Sequence, residues 1–182
     1  MRTLRPYLLA FFIAPAIALA LAHGGARGST AARARSTVKV EAGLVKAIHH
    51  YRVSSVRLQG VMGKRVVKLA PVRHASLRHA SRVWRRRAVL VRKRFTAGPA
   101  HRRAWLCIHR YEGSWRDDGG PYYGGLQMDL GFQQHYGRML LRVKGTADHW
   151  TPLEQMWVAE RAYRAGRGFY PWPNTARSCG LI

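Results

Sequence analysis

The chain has 182 residues, with 32 Lys+Arg against 8 Asp+Glu and a formal charge of +24. That length holds one domain with appendages. Two cysteines cannot supply a four-ligand zinc site, and no His/Cys cluster has metal-ligand spacing, so neither metal nor cofactor is expected.

The charge is uneven along the chain. From His23 to Arg103 there are 21 basic residues and one acid, Glu41; from Ala104 to Ile182 there are 9 basic residues and 7 acids. A boundary near residue 103 is expected. It divides the chain into residues 1–22, a basic arm at 23–100 and a domain at 101–182.

The first segment reads as an export signal. Arg2 and Arg5 precede fifteen apolar residues from Leu8 to Ala22, and "ALA" at 20–22 offers small residues for cleavage. The run is short for a membrane-spanning helix, and Pro15 interrupts it. A cleaved signal peptide and a secreted or cell-envelope protein are expected.

Residues 23–37, "HGGARGSTAARARST", are small, polar and basic and read as a disordered leader. Residues 38–95 mix apolar positions with many arginines. Val83, Trp84, Ala88 and Val91 fall on one side of a basic amphipathic helix. "TAGPA" at 96–100 reads as a hinge. Such an arm suits anionic wall polymers or a membrane surface, or is a solvated linker with no single partner. The export signal argues against nucleic acid.

The C-terminal domain is expected to be mainly α, with about three helices and a glycine-rich loop or short hairpin. "HRRAWLCIHRYEG" predicts a helix from about 101 to 112, stopped by Gly113. "SWRDDGGPYYGG" is a loop or hairpin. A second helix starts after Asp129, its N-cap. Thr151, Pro152 and Glu154 form a capping box for the third, and Gly166 ends it. The remainder, "RGFYPWPNTARSCGLI", reads as an extended tail. In an oxidising compartment Cys107 and Cys179 have only each other, and a bridge closing about 70 residues contributes ~4 kcal/mol. Two buried free thiols are the alternative.

One carboxylate stands out. Glu112 lies four residues past Ile108 and seven past Trp105, on the apolar face of its helix. Burial and the negative end of the helix dipole both favour its neutral form, the form that can protonate a leaving oxygen. The rival arrangement swings Glu112 outward to pair with Arg110 or Arg116. Around it, Trp115, Tyr122 and Tyr123 offer flat faces for sugar rings. Gly124 and Gly125 allow close backbone approach, and Gln127 suits hydroxyl and acetamido groups. Taken singly, the aromatics fit a small core and the Gly-Gly pair a hairpin turn.

The block "YEGSW…YYGGLQ", the helix after it, the capped "TPLEQMWVAE" helix and the terminal "CG" resemble the resuscitation-promoting factors and related transglycosylase-like domains of the lysozyme superfamily. The resemblance covers about residues 101–182. It implies a small lysozyme-like fold, secretion, and cleavage of peptidoglycan between N-acetylmuramic acid and N-acetylglucosamine. Glu112 matches the family's catalytic glutamate, and Gly124, Gly125 and Gln127 match its glycine-rich loop. The chain departs from the pattern in reading "EGSW" where the family reads "ESGG", and in placing Cys107 five residues before the glutamate.

A glycosidase with two carboxylates needs a second one about 5–9 Å away. Asp117 and Asp118 are expected to be solvated, Asp129 to cap its helix, and Glu160 to pair with Arg164. The expectation is therefore a lytic transglycosylase acting through Glu112 alone, a route that the resemblance implies and that spacing alone does not show. Hydrolysis of the same bond, non-catalytic wall binding, and a membrane-active cationic protein are the alternatives; a monomer is expected.

Overall fold

The structure, a computed structural model, describes residues 27–64 and 77–182. The expected signal peptide, residues 23–26 of the arm and residues 65–76 lie outside this range. The chain divides into two units, Met1–Val38 and Lys39–Ile182. The second holds every site residue named above.

Among the described residues there are six α-helices: α1 (Arg27–Val61), α2 (Leu77–Ala97), α3 (Arg102–Glu112), α4 (Leu130–Lys144), α5 (Pro152–Ala162) and α6 (Pro173–Ser178). The class is mainly α, as expected. Two short strands, β1 (Tyr122–Tyr123) and β2 (Met128–Asp129), pair antiparallel in a hairpin between α3 and α4.

Local chemistry explains the boundaries. Asp129 caps α4 by accepting a hydrogen bond from the Phe132 amide at 2.6 Å. At α5 the capping box is complete: Thr151 Oγ1 accepts from the Glu154 amide, and Glu154 accepts from the Thr151 amide. Pro152 at the first turn costs no hydrogen bond there.

Three expectations need correction. Residues 27–37, read as a disordered leader, are the start of α1, where Ala and Arg are strong helix formers. The tail is not extended throughout. Pro173 opens α6, and Trp172 just before it is buried, with Nε1 donating to the Leu126 carbonyl at 2.6 Å. The "TAGPA" hinge is a tight turn: Gly98, at φ +85°, donates to the Phe95 carbonyl, and Pro99 is buried.

The change in composition near residue 103 does not coincide with a break in packing. Val61 and Met62, at and just beyond the end of α1, are buried in one core with Trp105, Ile108, Leu140, Met156 and Trp172. Trp157 donates to the Phe95 carbonyl, and Arg164 donates to the Met62 carbonyl at 2.6 Å. On α2 the inner row is Trp84, Ala88, Val91 and Phe95, whereas Val83 is exposed. Two arginines, Arg52 and Arg87, flank the Trp84 ring.

Candidate active site

Glu112 is the last residue of α3 and is half-buried. Ile108 and Trp105, one and two turns earlier, are fully buried and hold that face of the helix against the core. Gly113 then breaks the helix at φ +121°. The carboxylate does not pair with Arg110 or Arg116: the ion pairs among the described residues involve other acids. Instead the Thr175 hydroxyl donates to Glu112 Oε1 at 2.8 Å.

The disulfide explains this contact. Cys107 and Cys179 are bonded, joining α3 to the end of α6. Glu112 lies five residues after Cys107, and Thr175 four residues before Cys179. Each offset is about one helical turn. Two helices joined at the cysteines and running in opposite directions therefore bring Thr175 to Glu112. Sequence reading missed Thr175 because it took the tail as extended. The paired offsets from the cysteines were the available signal.

The loop after α3 is built around Asp117. Its carboxylate accepts from the Gly119 amide at 3.0 Å and from Gln127 Nε2 at 2.8 Å, and its carbonyl accepts from the Gly124 amide. It was expected to be solvated; it is half-buried and holds the loop. Asp118 is exposed, as expected. Gln127 donates its amide group to Asp117 and to the Gly124 carbonyl, so that group serves the hairpin.

The two glycines face protein. Gly124 has φ +73°, and a Cβ there would stand 2.6 Å from Gln155 Oε1. At Gly125 a Cβ would stand 2.5 Å from His109 Nδ1 and 2.8 Å from the Trp115 ring. Both glycines are buried. Their small size is required for internal packing on the side where a Cβ would stand. Trp115 likewise spends one face on His109, with ring centroids 3.8 Å apart. Tyr123 is half-buried, and Tyr122 is half-exposed.

Tyr122 and Gln127 line a cavity of about 520 Å³ beside the hairpin. Asp129, His135, Arg167 and Trp172, none of them anticipated as groove residues, complete its polar and aromatic wall. Glu112 is not in that lining. Its link to the cavity is through Thr175, which lies on α6, the helix that begins after the lining residue Trp172.

Two other acids are structural. Glu160 is buried and accepts from Trp105 Nε1 at 2.9 Å, with the His101 ring nitrogen 3.2 Å away. The expected Glu160–Arg164 pair is not formed; Arg164 Nε donates to the Glu160 carbonyl oxygen. Glu154 is buried beside Lys144. Burial alone would raise its carboxyl, but the Lys144 hydrogen bond, the Thr151 amide and the Lys144 charge outweigh it and hold the group below its ordinary value.

Among the described residues, no group of three or more His, Cys, Asp or Glu side chains could hold a metal ion. No helix there is long and apolar enough to cross a membrane. Compared with known proteins, the chain matches no family model, no curated protein and no solved structure.

Proposed function

We propose that this chain is a secreted enzyme that cleaves the glycan strand of peptidoglycan, as a lytic transglycosylase with Glu112 as general acid and base. The observation that carries the reading is the Glu112 carboxylate itself. It is half-buried at a helix end, paired with no arginine among the described residues, and oriented through one oxygen by Thr175. The lysozyme-like fold and the transglycosylase resemblance belong to the same proposal. The Cys107–Cys179 bridge is consistent with an oxidising compartment.

In this mechanism Glu112 gives its proton to the bridging oxygen as the bond to C1 of the muramic acid breaks. The carboxylate then takes the proton of that sugar's 6-hydroxyl, whose oxygen closes onto C1. A 1,6-anhydro ring forms and Glu112 regains its proton, so no water is consumed. The neighbouring acids support a one-carboxylate route. Asp117 is committed to Gly119 and Gln127, and Asp129 to the α4 cap. The groove walled by Tyr122, Gln127 and Trp172 is the proposed bed for the strand.

The test is digestion of purified peptidoglycan by the full chain, wild type beside Glu112→Gln, with products read by mass spectrometry. Wild type is expected to release 1,6-anhydro muropeptides and the variant none. Reducing ends in their place would make the enzyme a hydrolase. Binding without release by both proteins would sink the catalytic reading and leave a wall-binding module.

A further inference from the structure

The charge of the α2 helix is not used by the proposed chemistry. Between Leu77 and Ala97 there are eight basic residues and no acid. The inner row Trp84, Ala88, Val91 and Phe95 faces the protein. On the opposite side lie two further rows at helical spacing: Val83, Arg86 and Leu90, and Arg82, Val89 and Lys93. The aliphatic members of these outer rows are open to solvent, Leu90 at 67%, Val89 at 59% and Val83 at 45%.

A helix that only needed solubility would place polar groups at those positions. Here aliphatic side chains alternate with cations on the face turned away from the core. Val89 and Leu90 line a shallow cleft with Arg82, Arg85 and Arg86 and no other residue. We propose that the outer face of α2 is a docking surface for an anionic lipid bilayer. The cations meet the headgroup charges, and Val83, Val89 and Leu90 enter the boundary between headgroups and acyl chains. A soluble polyanion would use the cations equally well but would leave the aliphatic groups in water, so the pairing of the two favours lipid. This proposal does not depend on Glu112.

The test is co-sedimentation of the full chain with vesicles of phosphatidylcholine alone and of phosphatidylcholine mixed with phosphatidylglycerol. Soluble polyphosphate serves as the polyanion probe. Val89→Ser with Leu90→Ser is expected to weaken partitioning onto the anionic vesicles by about tenfold and to leave polyphosphate affinity unchanged. Arg82→Gln with Arg86→Gln and Lys93→Gln is expected to weaken both. All five side chains are exposed, with Val89 and Lys93 also bordering a cleft against α1 and Leu90 one beside Gln59 and Met62, so melting curves of the variants should stay close to wild type. Wild type and variants share the Leu8–Ala22 run, so differences between them report α2. Equal partitioning of wild type and the Val89/Leu90 variant would overturn the proposal, as would equal binding of wild type to both kinds of vesicle. A parallel loss of polyphosphate binding in the Val89/Leu90 variant would assign the surface to a polyanion instead.

Discussion

In the proposed mechanism the Glu112 carboxyl must be held in one orientation, and the group that touches it is Thr175. The hydroxyl donates to Oε1, and no hydrogen bond within the protein is made by Oε2 among the described residues. Thr175→Val keeps the shape and removes the donor. Because a hydrogen bond contributes about 0.5–1.5 kcal/mol net, turnover on peptidoglycan should fall by up to about tenfold, with an unchanged melting curve. Unaltered turnover would remove Thr175 from the site. Glu154 allows a second prediction. Its carboxyl sits below the ordinary value when folded, because Lys144 and the Thr151 amide favour the ionised form over the cost of burial. The stability it contributes is complete above the unfolded value near 4.5 and is lost as pH falls through the lower, folded one. Melting temperatures measured from neutral to strongly acid pH should therefore show a smaller acid-induced fall for Glu154→Gln than for wild type.

At the scale of elements, the arrangement of α3 and α6 depends on the bridge. α6 is only six residues long, too short to be stable alone. Trp172 anchors its start through the Leu126 carbonyl, and Cys179 ties its end to Cys107. Removing the bridge with Cys107→Ser and Cys179→Ser should cost ~4 kcal/mol, read as a lower unfolding midpoint. It should also loosen Thr175 from Glu112. Activity is thus expected to drop in the double variant even at temperatures where circular dichroism shows it folded. Full activity under those conditions would mean that Trp172 alone suffices to place α6. The hairpin between α3 and α4 is held differently. Asp117 ties the loop through three hydrogen bonds, while Gly124 and Gly125 let Gln155, His109 and Trp115 pack against it.

For the molecule as a whole, the basic segment is part of the stability of the C-terminal domain. Val61 and Met62 are almost fully buried in its core, and Phe95 stacks on Trp157. A chain cut to residues 101–182 would lose all three and expose Trp157. Each fully buried side chain of this kind contributes about 1.5–3 kcal/mol, so the truncated chain should be less stable by on the order of 4 kcal/mol than one beginning at residue 39. Chemical denaturation of the two would decide this, and equal midpoints would show that the domain stands without the segment. A loss of that size is a large share of the 5–15 kcal/mol typical of a folded domain.

The features that the sequence determined by itself are those set by neighbours within a turn or two. The capping box at Thr151, the Asp129 cap, the helix ending at Glu112 and the apolar face behind it follow from residues a few positions apart. The cysteine pair was legible because no other thiol competes. Tertiary structure decided the rest. Composition placed a boundary at residue 103, yet burial of Val61, Met62 and Phe95 against the domain depends on contacts far apart in the chain. The glycines of the hairpin were legible as positions without room for a side chain, but that His109, Trp115 and Gln155 fill the space there depends on the packed structure. Thr175 reaches Glu112 from 63 residues away. Local spacing can place a residue on a face, but the partner across from that face is chosen only when distant helices pack.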